Sequence, residues 1–125
     1  MEGKSIKSFT DLNAWQTGHE LVLGIYKAAK NFPKSEIFSL TNQIQRCAVS
    51  ITSNIAEGFC RQSYKDKIQF YAISQGSVAE LQNQLLIARD IGYIDNKIFI
   101  DLANKTVIVH KLLTGLIKSS KSHLP

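Results

Sequence analysis

Three breakers divide the chain into four stretches of helical periodicity, and this division constrains the fold more than any other feature. Pro33 ends the first stretch, because the residue before a proline avoids helical geometry, and Gly58 and Gly92 are typical of helix C-termini. No segment alternates polar and apolar residues over the length of a strand. We therefore expect an all-α fold, an antiparallel up-down-up-down four-helix bundle that forms one domain, residues 1–125. The predicted helices span about residues 11–31, 36–58, 64–91 and 95–119.

Short polar side chains precede each predicted helix and are typical N-caps, because their oxygen accepts a hydrogen bond from the first turn. The predicted caps are Thr10 or Asp11, Ser35, Ser63 and Asp95. Apolar residues at intervals of three and four then define the face of each helix that meets the core. On the second helix this face contains Ile37, Leu40, Ile44, Cys47, Ala48, Ile51 and Ile55.

The third and fourth helices carry more apolar residues than one core face requires. A helix that is apolar on several sides is buried on several sides, and a soluble monomer avoids a large exposed apolar patch. We therefore expect a homo-oligomer, with a wide core and a few exposed apolar residues as the alternative. The residues outside the main stripes are Ile68, Ala72, Ala79, Leu86, Ile73, Ile87, Ile91, Ile100, Val107 and Ile108.

A polar stripe follows the second helix, away from its isoleucine face. Its members are Gln43, Arg46, Ser50, Ser53, Asn54, Glu57 and Arg61. Hydroxyls, amides and isolated charges suit a partly buried hydrogen-bond network or a groove for a polar partner. The third helix offers Gly76, Ser77 and Glu80 as a counterpart, and an antiparallel hairpin brings Glu80 level with Arg46. The pattern favours an Arg46–Glu80 ion pair, and the alternatives are contact with a ligand, nucleic acid or protein, or a plain solvated face.

The sequence argues against an enzyme. Glu57 and Glu80 are the only carboxylates near the predicted groove, and they lie too far apart along the helices for paired acid–base work. Ser50 and Ser53 have no histidine at helical spacing, and no glycine-rich phosphate loop occurs. Without a CxxC pair or clustered histidines, neither a metal site nor a cofactor is expected.

Positive charge is concentrated near the C-terminus. The formal net charge is +5, and residues 97–125 contribute +4 of it, from five lysines and one aspartate. A basic helical face is typical of a phosphate-binding surface, although it is also common as a solvated face. The predicted nucleic-acid-binding residues are Lys97, Lys105, Lys111, Lys118 and Arg61.

The sequence predicts a cytoplasmic protein that does not enter a membrane. No stretch approaches 18 apolar residues, and the first residues, MEGKSIKSF, lack the apolar core of a signal peptide. Cys47 and Cys60 fall on one predicted helix, roughly 20 Å apart, so they are expected to be free thiols, which fits a reducing compartment.

Four segments carry a family resemblance: FTDLNAWQTGHELVLGIY, FPKSEIFSLTNQIQRCAVSITSNIAEGFCR, GSVAELQNQL and ARDIGYID. The chain resembles, over about residues 9–120, the four-helix-bundle proteins encoded within intervening sequences of bacterial large-subunit ribosomal RNA genes, often labelled ribosomal-protein-like. The resemblance implies a ring-like homopentamer. It also implies a relation to the accessory proteins of diversity-generating retroelements, which bind nucleic acid and a reverse transcriptase. The family's motif positions here are Arg46, Ser50, Asn54, Glu57, Gly58, Arg61, Gly76, Ser77 and Glu80.

Together these features predict a non-enzymatic, homo-oligomeric bundle that binds RNA or DNA through basic surfaces of a ring-like assembly. The alternative is a protein–protein adaptor whose polar stripe docks a partner such as a polymerase. Steep salt dependence of binding would favour the first, because phosphate contacts release counterions.

Overall fold

Four α-helices form where the hydrophobic periodicity predicts them. The computed structural model describes residues 5–125, and no strand occurs in that range. Residues 1–4, the start of the segment without a signal-peptide pattern, lie outside it. The helices are α1 (Asn13–Ala29), α2 (Leu40–Cys60), α3 (Tyr64–Asp90) and α4 (Asn96–Lys121).

The helices close into a bundle because each packs against the next along the chain and α1 packs against α4. Short connections make consecutive helices antiparallel. The register of α2 and α3 shows this directly, since Cys47 contacts Ser77 while Ile51, farther along α2, contacts Ser74, which lies earlier on α3. The antiparallel four-helix arrangement predicted from the sequence is confirmed.

Two of the predicted N-caps are confirmed. Ser63 Oγ accepts a hydrogen bond from the Asp66 backbone N–H at 3.1 Å, and Asp95 Oδ1 accepts one from Ile98 N–H at 2.8 Å. Gly92 follows α3 with φ +84°, the left-handed conformation that favours glycine after a helix.

The predicted start of α1 is wrong by about two residues. A 3-10 turn, Phe9–Asp11, precedes the helix and is capped by Ser8, so Thr10 and Asp11 belong to this turn. Leu12 occupies the N-cap of α1 and makes no side-chain capping bond.

The predicted start of α2 is also wrong, and the cause is a second 3-10 turn, Lys34–Glu36. Ser35 lies inside this turn and does not cap α2, which begins only at Leu40. Glu36 Oε1 instead accepts a hydrogen bond from Leu40 N–H at 3.3 Å. Ile37 therefore falls in the connection, 49% exposed, and not on the core face.

Gly58 does not end α2, which continues to Cys60. The position is buried, and a Cβ there would lie 2.8 Å from Cε1 of the Tyr71 ring on α3. This glycine therefore allows a close approach of α2 and α3.

The core is built from all four helices, and several large side chains are fully buried: Leu21, Ile25, Ile44, Ile51, Ile55, Val78, Leu81, Leu85, Val109 and Leu113. Most of the larger side chains among the surplus apolar residues stay exposed in the single chain: Ile73, Leu86, Ile87, Ile91, Ile100, Val107 and Ile108. Within residues 5–125, none of the helices is long and apolar enough to cross a membrane.

Candidate functional site

Hydroxyl and thiol groups line the junction between α2 and α3. Cys47 Sγ donates a hydrogen bond to the backbone carbonyl of Ser77 at 3.1 Å, and the Oγ atoms of Ser50 and Ser77 lie 2.9 Å apart. Ser74 Oγ donates to the Ile51 carbonyl at 2.8 Å and is completely buried. These small side chains let the helices approach closely and fix their register through directional bonds.

A groove opens above this junction. It has a volume of about 440 Å³ and is called the polar groove below. Its walls come from α2 and α3, and its lining residues are Asn42, Gln43, Arg46, Cys47, Ser50, Glu80 and Gln84. Four members of the predicted stripe and its counterpart, Gln43, Arg46, Ser50 and Glu80, are thus brought together as the hairpin register predicts.

The predicted ion pair within this groove is not formed. Arg46 and Glu80 line the same space, but their charged groups do not come within 4.0 Å of each other. Both residues are exposed, and an exposed pair gains little over hydration of each charge, because it must order two long side chains. The groove therefore presents a cation on the α2 side and an anion on the α3 side.

Cys47 is the floor of the groove and is held as a neutral thiol. Burial raises the pKa of Cys47 to about 12, and the nearby negative charge of Glu80 and a hydrogen bond to it act in the same direction. The distance from Cys47 Sγ to Glu80 Oε1 is 3.7 Å. A thiolate nucleophile at this position is therefore disfavoured. Cys47 is buried and Cys60 is exposed, and both are free thiols.

Gln84 contributes an unusual group to the groove. Its side chain is only 6% exposed, and its buried Oε1 has no hydrogen-bond partner among the described residues. Thr41 Oγ1, on the first turn of α2, is also buried and has no partner within residues 5–125. Buried polar atoms are nearly always hydrogen-bonded in native proteins, so an unpartnered one at a groove marks a place for a ligand group.

The C-terminal part of the polar stripe, Asn54, Glu57 and Arg61, lies outside the groove and forms contacts of its own. Asn54 Nδ2 donates to the Ser50 carbonyl at 2.8 Å. Glu57 and Arg61 form an exposed ion pair at 2.9 Å, and the Arg61 guanidinium also lies over the Phe70 ring, 4.6 Å from its centroid. The charge of Arg61 is therefore partly neutralised by its neighbour.

The basic residues of α4 lie outside the groove. Lys97, Lys111 and Lys118 are exposed, and none forms an ion pair among the described residues. Lys105 differs, since its Nζ lies 3.0 Å from Asp101 Oδ1. We call Lys97, Lys111 and Lys118 the lysine face of α4.

Sequence reasoning missed three residues of the groove: Cys47, Gln84 and Asn42. The pattern places Cys47 on the apolar face of α2, and the residue is buried as this predicts. The pattern does not predict its hydrogen bonds to the Ser77 carbonyl and to Glu80. Gln84 lies seven residues after Ser77, two turns along the same side of α3, and this spacing was the available signal. Among the described residues, no group of histidine, cysteine and acidic side chains is placed to hold a metal ion.

Comparison with known proteins identifies the family. Residues 10–115 match the sequence model described as 23S rRNA-intervening sequence protein. The fold is similar to a crystal structure from Bacteroides thetaiotaomicron, described as a protein with unknown function from the S23 ribosomal protein family. The two are 25% identical with a TM-score of 0.77, over 84% of this chain and 95% of that one. No curated protein matches. The chain belongs to the 23S rRNA-intervening sequence protein family, as the sequence resemblance predicts.

Proposed function

We propose that this chain is a non-enzymatic, homo-oligomeric four-helix protein that binds RNA or DNA through the lysine face of α4. The observation that carries the proposal is that Lys97, Lys111 and Lys118 are exposed along one side of a helix, with no acidic partner in the described part of the chain. Unpaired lysines suit the phosphate backbone, because contacts with phosphates depend on charge and not on base sequence.

The length of the lysine face supports this proposal. Lys97 and Lys118 are 21 positions apart, which is about 30 Å along an α-helix. One turn of a nucleic-acid duplex is also about 34 Å long. A rod with cations at this separation therefore suits a backbone that presents phosphates along its whole length.

Assembly would extend the charged surface. Leu86 on α3 and Val107 on α4 are 42% and 46% exposed and border a largely apolar groove of about 280 Å³. A second copy of the chain would bury this surface and set several lysine faces side by side. A ring-like pentamer, implied by the family resemblance, is the assembly we propose.

The test is fluorescence anisotropy with labelled structured RNA and duplex DNA at about 50 and 200 mM salt. We expect tight binding that weakens steeply with salt, because each neutralised phosphate releases counterions. Lys111→Glu/Lys118→Glu should weaken binding at least tenfold and lower the slope of log K against log salt by about two. Lys30→Glu/Lys34→Glu changes the net charge equally at exposed sites near the end of α1 and is the matched control.

Equal binding by both double variants, with assembly intact by light scattering, would contradict the lysine face. Absence of binding at the lower salt would favour the second candidate, a protein–protein adaptor. The observation that favours an adaptor is the polar groove, where Gln84 Oε1 is unpartnered among residues 5–125 and Arg46 and Glu80 do not pair with each other. A polymerase is the kind of partner that the family resemblance implies.

A further inference from the structure

The polar groove has an incomplete hydrogen-bond network at its base. Gln84 lines the groove, is only 6% exposed and leaves its Oε1 unpartnered in the part of the chain that the structure describes. In solution the free groove is hydrated, and a ligand replaces that water favourably only if it offers equivalent hydrogen bonds. The occupant must therefore carry a hydrogen-bond donor that reaches the floor.

The walls impose a second requirement. Arg46 on α2 presents only donors, Glu80 on α3 presents only acceptors, and the two do not pair with each other. A phosphate would meet Arg46 but be repelled by Glu80, and a metal cation would be repelled by Arg46. A neutral group with acceptors on one edge and donors on the next satisfies both walls at once.

Guanine is the nucleobase with this pattern. Its O6 and N7 are adjacent acceptors that suit an arginine, and its N1–H and N2–H donors on the neighbouring edge suit a carboxylate. Pairing in a duplex occupies the N1 and N2 donors, so only an unpaired guanine in a loop or bulge presents both edges. The volume of about 440 Å³ is ample for one base.

We propose that the polar groove binds an unpaired guanine of a structured RNA, with Arg46 at its O6/N7 edge, Glu80 at its N1/N2 edge and Gln84 Oε1 accepting the second hydrogen of the N2 amino group. This inference rests on the proposed nucleic-acid binding and adds base selection to it. The lysine face lies on α4, which does not contribute to the groove. Backbone contact and base selection are therefore separable by substitution.

The experiment compares three labelled RNA stem-loops that are identical except for one unpaired loop nucleotide: guanosine, inosine or adenosine. Inosine lacks the N2 amino group and so loses one donor to Glu80 and the donor to Gln84. The full chain should bind the guanosine loop roughly tenfold more tightly than the other two, a typical discrimination for a well-placed base contact. Anisotropy at fixed salt measures the three affinities.

Two substitutions test the groove. Glu80→Ala removes an exposed carboxylate and should reduce the preference for guanosine over inosine to about threefold or less, while leaving the salt slope of binding unchanged. Gln84→Met should also reduce the preference, and circular dichroism checks that this buried change leaves the helices intact. Glu57→Ala is the matched control, because Glu57 is an exposed carboxylate of the same stripe that pairs with Arg61 outside the groove.

The outcomes separate the two proposals. Salt-dependent binding with equal affinity for all three loops would overturn base selection and leave backbone binding standing. A guanosine preference that survives Glu80→Ala and Gln84→Met would overturn the assignment to the polar groove. If no RNA binds at about 50 mM salt, both proposals fail, and the groove becomes a candidate contact for a protein.

Discussion

The junction between α2 and α3 and the junction between α1 and α4 solve the same packing problem with different chemistry. Cys47, Ser50, Ser74 and Ser77 join α2 to α3 through side-chain hydrogen bonds. Among residues 5–125, no side-chain hydrogen bond joins α1 to α4, and Gln16 of α1 donates to the Thr10 carbonyl instead. There the close contact is apolar, and a Cβ on Gly24 would lie 2.7 Å from a Leu102 methyl carbon.

The difference teaches where function can arise in a small bundle. An apolar junction contributes stability in proportion to the surface it buries, but its apolar contacts do not fix the direction of the polar side chains at its rim, here Lys27, Asn31, Lys97 and Asp101. A polar junction gains less from burial, but its directional bonds fix the position of each side chain. The polar groove lies above the second kind of junction, and substitutions can test this contrast.

The largest effect is expected in the apolar junction. Leu102 is 2% exposed, and Leu102→Ala should lower the free energy of unfolding by about 2–5 kcal/mol, since it loses apolar burial and leaves a cavity beside Gly24. Urea unfolding followed by circular dichroism, at fixed protein concentration, measures this. Leu23→Ala, at a leucine that is 57% exposed, is the matched control and should change stability by less than about 0.5 kcal/mol. Similar losses in the two variants would contradict the assignment of Leu102 to a tightly packed junction.

An intermediate effect is expected where α2 and α3 approach most closely. Gly58→Ala puts a Cβ 2.8 Å from the buried Tyr71 ring, so it should cost about 1–3 kcal/mol through overpacking. Gly76→Ala is the matched control, because a Cβ there meets nothing within 4 Å and alanine favours a helix by roughly 0.5–1 kcal/mol. Opposite signs in urea unfolding would confirm that the two glycines differ in role. A gain in both variants would show that the junction has room at Gly58.

Local signals explain which parts of this fold follow from the sequence. Ser63 and Asp95 cap helices through bonds that span three residues, so their types alone identify them. The start of α2 depends instead on a distant residue, because Tyr93 Oη donates to Glu36 Oε2 at 2.7 Å while Glu36 also caps Leu40. That hydrogen bond raises the pKa of Tyr93. Because Tyr93 is 57 residues from Glu36, the local sequence does not predict the bond.

The same distinction applies to the polar groove. Helical spacing and hairpin register predict that Arg46 and Glu80 share one level, and they line one groove. Whether two long side chains then pair depends on rotamers and hydration, which a pattern of residue types does not contain. The buried and unpartnered Gln84 is a consequence of how closely α2 and α3 pack, so it emerges only in three dimensions.

The smallest expected effect concerns Cys47. Its pH dependence tests whether the junction between α2 and α3 excludes water, as an apolar junction does. The pKa of Cys47 is raised from 9.0 to about 12, chiefly by burial, so the folded state holds the thiol proton more tightly than the unfolded chain does. The resulting stability is complete below pH 9 and is lost as the pH rises toward 12. Between pH 8 and pH 10, Cys47 should account for a loss of about 1 kcal/mol, which Cys47→Ala abolishes.

Urea unfolding across pH 8–10 for the wild type, Cys47→Ala and Cys60→Ala measures this slope. Cys60→Ala removes the exposed cysteine and should follow the wild type, since Cys60 is not buried by folding. If Cys47→Ala lowers the free energy of unfolding by the same amount at every pH, the loss reports only the packing of the side chain. The inference therefore depends on how the free energy of unfolding changes with pH. If all three proteins lose stability in parallel, water reaches Cys47 through the polar groove. The junction would then be wet, and a base seated in the groove would compete with water for Gln84 more weakly than a closed floor implies.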